Sequence, residues 1–265
     1  MLLSNRKKNS LKSGYFYRQI EVNGLQKAGK VYQMLYSAIR QYQSNLCIVW
    51  EEADEELIPR FLFLLLADHP ELFYISAERA FYQYGKGFAK IRLVYGYSEQ
   101  ECRKIEQEIK KQVRQLALAA KMFGGNNRVQ QLWYLYRYFV THISYAGEQL
   151  ESKNERELCR IHSAVGALLD RSAVCDGISR AFKLVLDELG IENRLIRRTV
   201  REKMKFAHEW NIIFLESEEL HIDITWEMDV YSIHKQVRYE FFLLTAEEMQ
   251  EKHEKGLKSE VVFSW

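Results

Sequence analysis

The stretch that most constrains how this chain folds runs from residue 172 to residue 190 and reads SAVCDGISRAFKLVLDELG. Its apolar residues recur at the spacing of one helix face, which predicts a buried helix that Gly177 opens and Gly190 ends. Cys175 then lies at the N-terminus of this helix, where backbone N–H groups and the positive end of the helix dipole stabilise a thiolate. The stretch therefore predicts a helix that presents a reactive thiol.

Two strand-like runs follow, 208–215 (HEWNIIFL) and 220–226 (LHIDITW). Side chains alternate between the faces of a strand, so a two-residue turn at 216–217 would place Asp223 on the face of His208 and opposite Trp210. A loop of three or five residues would place it on the opposite face unless a bulge intervenes. Trp210 and Trp226 would then shield the imidazole and the carboxylate from water, which strengthens the hydrogen bond between them. We therefore predict a thiol, an imidazole and a carboxylate, each on its own element, as nucleophile, base and orienting acid.

Each of these residues also has a structural explanation. A cysteine at a helix start is more often a small buried apolar residue, and a single strand histidine is usually structural. Asp223 is harder to explain in this way, because a carboxylate between Ile222 and Ile224 needs a partner. The competing prediction is a metal site formed by Cys175, His208, His221 and Asp223, but no closely spaced pair of ligands supports it. We therefore expect a catalytic site without a metal or a cofactor.

Composition limits the class of protein. The chain has 265 residues, a formal net charge of +2 and a pI near 8.2, so its charge favours neither nucleic acid nor an anionic membrane as a partner. Its longest apolar run, residues 61–67, is too short to span a bilayer, and no apolar segment follows the basic N-terminus as in a secretory signal. The four cysteines form no C-x-x-C pair, which predicts reduced thiols in the cytoplasm.

Turn and capping signals divide the chain into two parts. Residues 1–97 are predicted to form a small α+β unit, with helices at 25–42 and 54–69 and strands at 15–22, 47–50, 72–76, 80–84 and 88–95. Residues 98–265 are predicted to form the second part, with helices at 98–123, 128–142, 162–169 and 246–255 and further strands at 194–200 and 241–244. The predicted fold class is therefore α+β.

The residues around the three site positions resemble the transglutaminase-like core of the papain-like thiol enzymes, in its bacterial branch. The resemblance rests on AVCDGISRAFKLVLDELGI, AHEWN and IDITW, and it covers about residues 126–250. It gives Cys175 the role of nucleophile, His208 that of base and Asp223 that of orienting acid. It also implies a helical lobe bearing the cysteine, packed on an antiparallel sheet that bears the histidine and the aspartate. Neighbouring residues are expected to shape the site and its oxyanion hole: Asp176, Gly177, Trp210, Asn211 and Trp226.

Two positions depart from the family pattern. Glu209 stands where the family commonly has a small residue, and Ile178 replaces an aromatic residue that often follows the motif glycine. Strand alternation places Glu209 on the face opposite His208, so we expect the site to tolerate it.

The resemblance implies covalent acyl transfer from a peptide or glutamine amide of a protein or peptide substrate to the thiol. Hydrolysis by a cysteine peptidase or deamidase is the interpretation that we prefer. The alternatives are a protein-glutamine transamidase that forms crosslinks, and a non-catalytic peptide-binding or scaffold protein on the same fold. The same triad serves both reactions, and the exclusion of water decides between them.

Overall fold

The computed structural model describes residue 16 and residues 26–50, 57–201 and 206–258 of the chain. Residues 1–103 with 153–159 form one compact unit, and residues 104–152 with 160–265 form another. The boundary that the sequence suggests after residue 97 stays a prediction. Within the described ranges, no helix is both long and apolar enough to cross a membrane.

The described part of residues 26–97 contains a three-stranded antiparallel sheet and two helices. In chain order these elements are α1 (Gln26–Arg40), β1 (Asn45–Val49), α2 (Leu57–Asp68), β2 (Ile75–Gly85) and β3 (Phe88–Tyr95), and the strand order is β1-β3-β2.

The prediction of separate strands at 72–76 and 80–84 was wrong. Residues 75–85 form one strand, β2, whose pairing with β3 shifts register between Ser76 and Phe81, and residues 72–74 precede it. Such a shift interrupts the alternation of side chains and so imitates a break between strands. Nearly all of the strand predicted at 15–22, and the start of the helix predicted at 54–69, lie outside the described residues.

The remaining residues form a mostly helical segment followed by a second antiparallel sheet. The elements are α3 (Glu99–Gly124), α4 (Arg128–His142), β4 (Ser144–Tyr145), α5 (Glu155–Ile161), β5 (Ser172–Ala173), α6 (Cys175–Leu189), β6 (Asn193–Arg201), β7 (Phe206–Leu215), β8 (Glu218–Ile222), α7 (Ile224–His234) and α8 (Ala246–Lys258). Strands β4 and β5 pair in parallel, and the antiparallel sheet has the order β6-β7-β8. The short helix predicted at 162–169 is helical from residue 164, and its second half belongs to a π-helical turn at Gly166–Asp170.

The hairpin between β7 and β8 has the two-residue turn at 216–217, which is the case that places Asp223 on the face of His208. Leu215 pairs with Glu218, and both residues of the turn have positive φ, 50° at Glu216 and 74° at Ser217. Positive φ at both positions matches the right-handed twist of the strands. The last pair in this register joins Asn211 to Ile222, so β8 ends directly before Asp223.

The strand predicted over 220–226 was wrong beyond Ile222. Asp223 ends the hairpin and caps α7, accepting a hydrogen bond from the backbone N–H of Trp226 at 3.1 Å. The β-branched residues Ile224 and Thr225 favour a strand by propensity, but the aspartate cap and tertiary packing outweigh that preference. The antiparallel sheet therefore bears His208, while Asp223 lies at the junction of the sheet with α7.

The strand predicted at 241–244 was also wrong, because only Leu244 pairs, in an isolated bridge with His221. This segment is the end of a loop held by Glu227, a fully buried residue of α7. The carboxylate of Glu227 accepts hydrogen bonds from Tyr136 Oη and from four backbone N–H groups at positions 238–241. A buried acceptor that uses the backbone N–H groups of a loop leaves them unavailable for a strand ladder.

Candidate active site

Cys175 begins α6 at the point where β5 ends, as the helical pattern predicts. The chain enters this turn through Val174, whose N–H donates to Ile161 O at 3.0 Å. Gly177 is required here, because a Cβ at this position would lie 2.3 Å from Ile161 O. The helix ends at Gly190 with a φ of 66°, in the left-handed conformation that favours glycine. The thiol of Cys175 is half-buried at the helix N-terminus.

His208 and Asp223 lie in direct contact and are almost completely buried. His208 Nε2 is 2.6 Å from Asp223 Oδ2, a short distance typical of a hydrogen bond between charged groups. The thiol of Cys175 interacts with the same imidazole. Because Nε2 faces the carboxylate, Nδ1 is the ring nitrogen available for proton exchange with the thiol. The structure thus brings the three predicted residues together in the order thiol, imidazole, carboxylate.

Electrostatics favour an ion pair between His208 and Asp223. Burial is the largest influence and lowers the pKa of His208, but Asp223 and Cys175 outweigh it and raise that pKa to about 10. Burial likewise favours the neutral acid form of Asp223, but His208 and His253 bring its pKa below its ordinary value. The two shifts agree in direction, so at neutral pH the site holds an imidazolium beside a carboxylate.

The two tryptophans lie where the sequence predicts them, against the imidazole. The ring centroid of Trp210 is 5.6 Å from that of His208, with the planes at 23°, and the ring of Trp226 is 6.1 Å away. Trp210 Nε1 donates to His221 Nδ1 at 2.9 Å, which fixes the indole. Both indoles are buried, and they exclude water from one side of the His208–Asp223 pair.

Asn211 joins the two elements that carry the thiol and the imidazole. Its Nδ2 donates to Ser179 O of α6 at 3.0 Å, and Ser179 Oγ donates to Glu209 O of β7 at 2.9 Å. These two hydrogen bonds fix α6 against β7, so Asn211 shapes the site through the backbone of α6. The backbone N–H of Cys175 lies in the first turn of α6, where N–H groups have no intrahelical acceptor, and stays the candidate oxyanion donor.

Asp176 belongs to a second buried network behind the thiol. Its carboxylate lies 3.0 Å from His162 Nδ1 and 3.5 Å from Arg180 Nη2, and Arg180 Nε lies 3.5 Å from Glu209 Oε1. Burial would raise the pKa of Asp176, but His162, Arg180 and Arg197 hold it below its ordinary value. The network also explains how the chain accommodates Glu209: its carboxylate is on the face opposite His208 and has an arginine as counterion.

Sequence reasoning missed three residues around the thiol site. Tyr145, on β4, interacts with Cys175, and burial together with the surrounding anionic groups raises its pKa above the ordinary range. Asp229, on α7, has a buried Oδ2, and burial with the nearby charge of Asp223 raises its pKa to about 7, although His208 opposes this. His253, on α8, contacts Asp223 at 2.9 Å. Only the spacing of His253 four residues after the buried Met249 could have marked it, as one face of a helix.

The predicted metal set does not assemble, because His221 is engaged by Trp210. Among the described residues, one group of potential ligands converges: His208, Asp223 and His253, with ligand atoms within 4.8 Å of one another. Their separations of 2.6 Å and 2.9 Å are hydrogen-bond distances, shorter than those between ligands around a tetrahedral zinc ion. We therefore interpret the group as a hydrogen-bonded cluster.

Comparisons with known proteins show similarity at the level of the fold. No protein-family model and no curated protein matches the sequence. Among solved structures, a transglutaminase aligns over 68% of this chain and 50% of its own, at 9% identity and a TM-score of 0.37. The periplasmic domain of TgpA from Pseudomonas aeruginosa, bound to ethylmercury, aligns over 52% and 55%, at 13% identity and a TM-score of 0.32.

A proposed cysteine protease from Cytophaga hutchinsonii aligns over 56% of this chain and 61% of its own, at 12% identity and a TM-score of 0.33. The alignments thus span between 50% and 61% of these three proteins. The chemistry of this chain is therefore inferred from the geometry of its own site.

Proposed function

We propose that this protein is a thiol-dependent enzyme that hydrolyses peptide or glutamine amides of a protein or peptide substrate in the cytoplasm. Cys175 acts as nucleophile, His208 as base and Asp223 as orienting acid. The observation that carries the proposal is the buried imidazole of His208, which contacts Asp223 Oδ2 at 2.6 Å and interacts with the thiol. An imidazole fixed between a thiol and a carboxylate is the arrangement that activates a cysteine nucleophile.

The reaction begins from a thiolate–imidazolium pair, in which the thiol proton has already passed to His208 Nδ1. The thiolate attacks the amide carbonyl carbon, and the carbon–nitrogen bond then breaks as the imidazolium gives its proton to the leaving amine. An acyl group remains on Cys175 as a thioester. Water, deprotonated by His208, attacks the thioester, and the acid leaves as the thiol is restored. Asp223 stays ionised throughout and stabilises the imidazolium.

Hydrolysis is preferred to transamidation because Cys175 is only half-buried, so water has access to the residue that would carry the thioester. A transamidase has to protect its thioester from water until an amine arrives. The two reactions differ only in the acceptor, so the identity of the product separates them.

The first test is the alkylation rate of each cysteine as a function of pH, mapped by mass spectrometry. Cys47 serves as an internal reference because it is exposed. We expect Cys175 to react at least about tenfold faster than Cys47 near pH 6, well below the ordinary thiol pKa of about 8.5. The His208→Ala variant should lose this advantage while Cys47 reacts unchanged.

Product analysis follows with the wild-type protein and the Cys175→Ala variant. Peptide cleavage and glutamine deamidation are assayed beside the incorporation of an added primary amine. Cleavage or deamidation that depends on Cys175 supports the proposal, and amine incorporation would replace hydrolysis by transamidation. Equal alkylation of Cys175 and Cys47, with no product in any assay, would favour a peptide-binding protein.

A further inference from the structure

Helix α8 brings a second histidine to the carboxylate of the proposed triad. His253 is 5% exposed, and its Nε2 lies 2.9 Å from Asp223 Oδ2, the oxygen that also contacts His208. Asp223 Oδ1 accepts a hydrogen bond from the backbone N–H of Trp226. The carboxylate is therefore contacted from β7, from α7 and from α8.

Aromatic rings hold the imidazole of His253 in one orientation. The ring centroids of Trp226, Trp210 and Phe241 lie 4.5, 4.9 and 6.0 Å from its own. The ring of His208 is 5.7 Å away and nearly perpendicular, at 82°. An imidazole packed among rings on several sides has little freedom to turn. Its Nε2 is thus fixed toward Asp223.

From this geometry we propose that His253 is a positioning residue of the thiol site: it holds Asp223 Oδ2 where that oxygen orients His208. With Oδ1 bound to the backbone and Oδ2 bound by two imidazoles, the carboxyl group cannot rotate away from the base. Proton transfer depends on this orientation, so the loss of one donor lowers the rate. The inference rests on the proposed function, and it assigns to His253 no contact with the reacting atoms.

Buried contacts fix the position of α8. The loop before it is fixed by Glu227, and Met249, one turn before His253, is buried in a cluster with Trp210, Trp226 and Phe241. These contacts hold α8 where His253, 30 residues after Asp223 in the sequence, contacts the Asp223 carboxylate.

Charged and titratable groups surround His253, Asp223 and His208, and the substitutions at His253 leave these groups in place. Lys252, beside His253 on α8, pairs with Glu240 at 3.7 Å. The titratable groups that interact with Asp223 or His208 from other elements are Cys175 on α6, Tyr145 on β4, Tyr136 on α4 and Asp229 on α7.

The test compares His253→Phe, which keeps the packing and removes the donor, with His253→Gln, whose amide nitrogen can take the place of Nε2. The readout is the alkylation rate of Cys175 near pH 6. We expect His253→Phe to lower this rate about tenfold, the effect of one hydrogen bond to a charged group, and His253→Gln to restore most of it. Glu254→Ala is the matched control: it changes an exposed neighbour of His253 on α8 and should leave the rate unchanged.

A double-mutant cycle asks whether His253 acts through Asp223. In the Asp223→Asn background, His253→Phe should cause no further loss of rate, because the carboxylate that it positions is gone. Losses that multiply would overturn the inference, as would a His253→Phe rate equal to that of the wild type. If circular dichroism shows that His253→Phe is unfolded, His253→Asn, whose amide is too short to reach Asp223, takes its place with the same expectations.

An NMR measurement separates failure of this inference from failure of the proposed function. The His208 Nε2–H proton, in a short hydrogen bond to Asp223, should give a far-downfield signal, assigned by its loss in His208→Ala. This signal should shift or broaden in His253→Phe and be retained in His253→Gln and Glu254→Ala. If wild-type Cys175 is unreactive, the proposed function fails. A signal unchanged in His253→Phe refutes the positioning role whatever the reactivity.

Discussion

Asp176 and Asp223 are two buried aspartates that each contact histidine, as the pairs His162–Asp176 and His208–Asp223, and they differ in what else neutralises the carboxylate. Asp176 contacts His162 at 3.0 Å and also Arg180 at 3.5 Å, a permanent cation. Asp223 contacts His208 at 2.6 Å, and its other partners are His253 and a backbone N–H group. In the first pair the arginine supplies the positive charge, whereas in the second a histidine must carry it.

This difference explains how two similar pairs serve different purposes. A carboxylate beside arginine is satisfied at every pH at which the protein folds, because the guanidinium does not lose its proton. A carboxylate beside imidazoles stabilises a proton that can be taken from, and returned to, another group. The His208–Asp223 pair is therefore suited to chemistry at the thiol, and the His162–Asp176 pair to holding the helix that presents it.

The largest expected effect comes from removing the charge of each aspartate in turn. Asp223→Asn should lower any amide hydrolysis rate by a factor of about 100 to 10,000, because the imidazolium loses its buried counterion. Asp176→Asn should lower the free energy of unfolding and leave the pH profile of Cys175 alkylation in place. The hydrolysis rates of both variants are measured on the same substrate. Similar losses of rate would mean that the two histidine–aspartate pairs are not functionally distinct.

The second expected effect is a loss of stability on replacement of Arg180, the arginine that distinguishes the two pairs. Arg180→Met should lower the free energy of unfolding by about 3–5 kcal/mol, because it leaves Asp176 and Glu209 as buried carboxylates without their cation. Lys183→Met, one turn further along α6, is the control: its partner Asp187 is exposed, and the expected loss is about 0–1 kcal/mol. Urea denaturation measures both, and equal losses would contradict the role given to Arg180.

The third effect is a difference in pH dependence between the pairs. The pKa of His208 is raised to about 10, so its contribution to stability is complete below the unfolded value of about 6.5 and is lost as the pH rises toward 10. The free energy of unfolding should therefore fall from about pH 6.5 to pH 9.5 in the wild type. The fall should be smaller in Asp223→Asn and unchanged in Asp176→Asn. A slope that is the same in all three proteins would exclude His208 as its source.

The smallest effect tests the carboxylate of Asp229, which interacts with both Asp223 and His208. Its pKa is raised to about 7, so ionisation costs stability as the pH rises from its unfolded value of about 3.9 through 7. Asp229→Asn should raise the melting temperature by about 2–4 °C near pH 8, with a smaller gain near pH 5. Equal gains at both pH values would show that charge is not the cause.

Local sequence patterns were sufficient to predict the elements that carry the thiol and the imidazole, α6 and β7. The apolar stripe after Cys175 and the glycine at 190 defined α6, and the two-residue turn at 216–217 fixed the register of the β7–β8 hairpin. Parity then placed Asp223 beside His208, although the strand expected through residue 226 is a helix from Ile224. The predicted position of Asp223 does not depend on that error, because the pairing of β7 with β8 fixes the register before β8 ends.

The sequence by itself determined which helix begins at Cys175 and which side of the hairpin carries His208, since both follow from periodicities of a few residues. Only the tertiary structure decided that Asp223 receives a second imidazole from His253, 30 residues later, and that Arg180 neutralises Asp176 and Glu209. These contacts join different elements of the fold. No local periodicity in the sequence indicates which face of α8 contacts Asp223. Buried charges find their partners through packing, because leaving a carboxylate without one costs more free energy than any local propensity supplies.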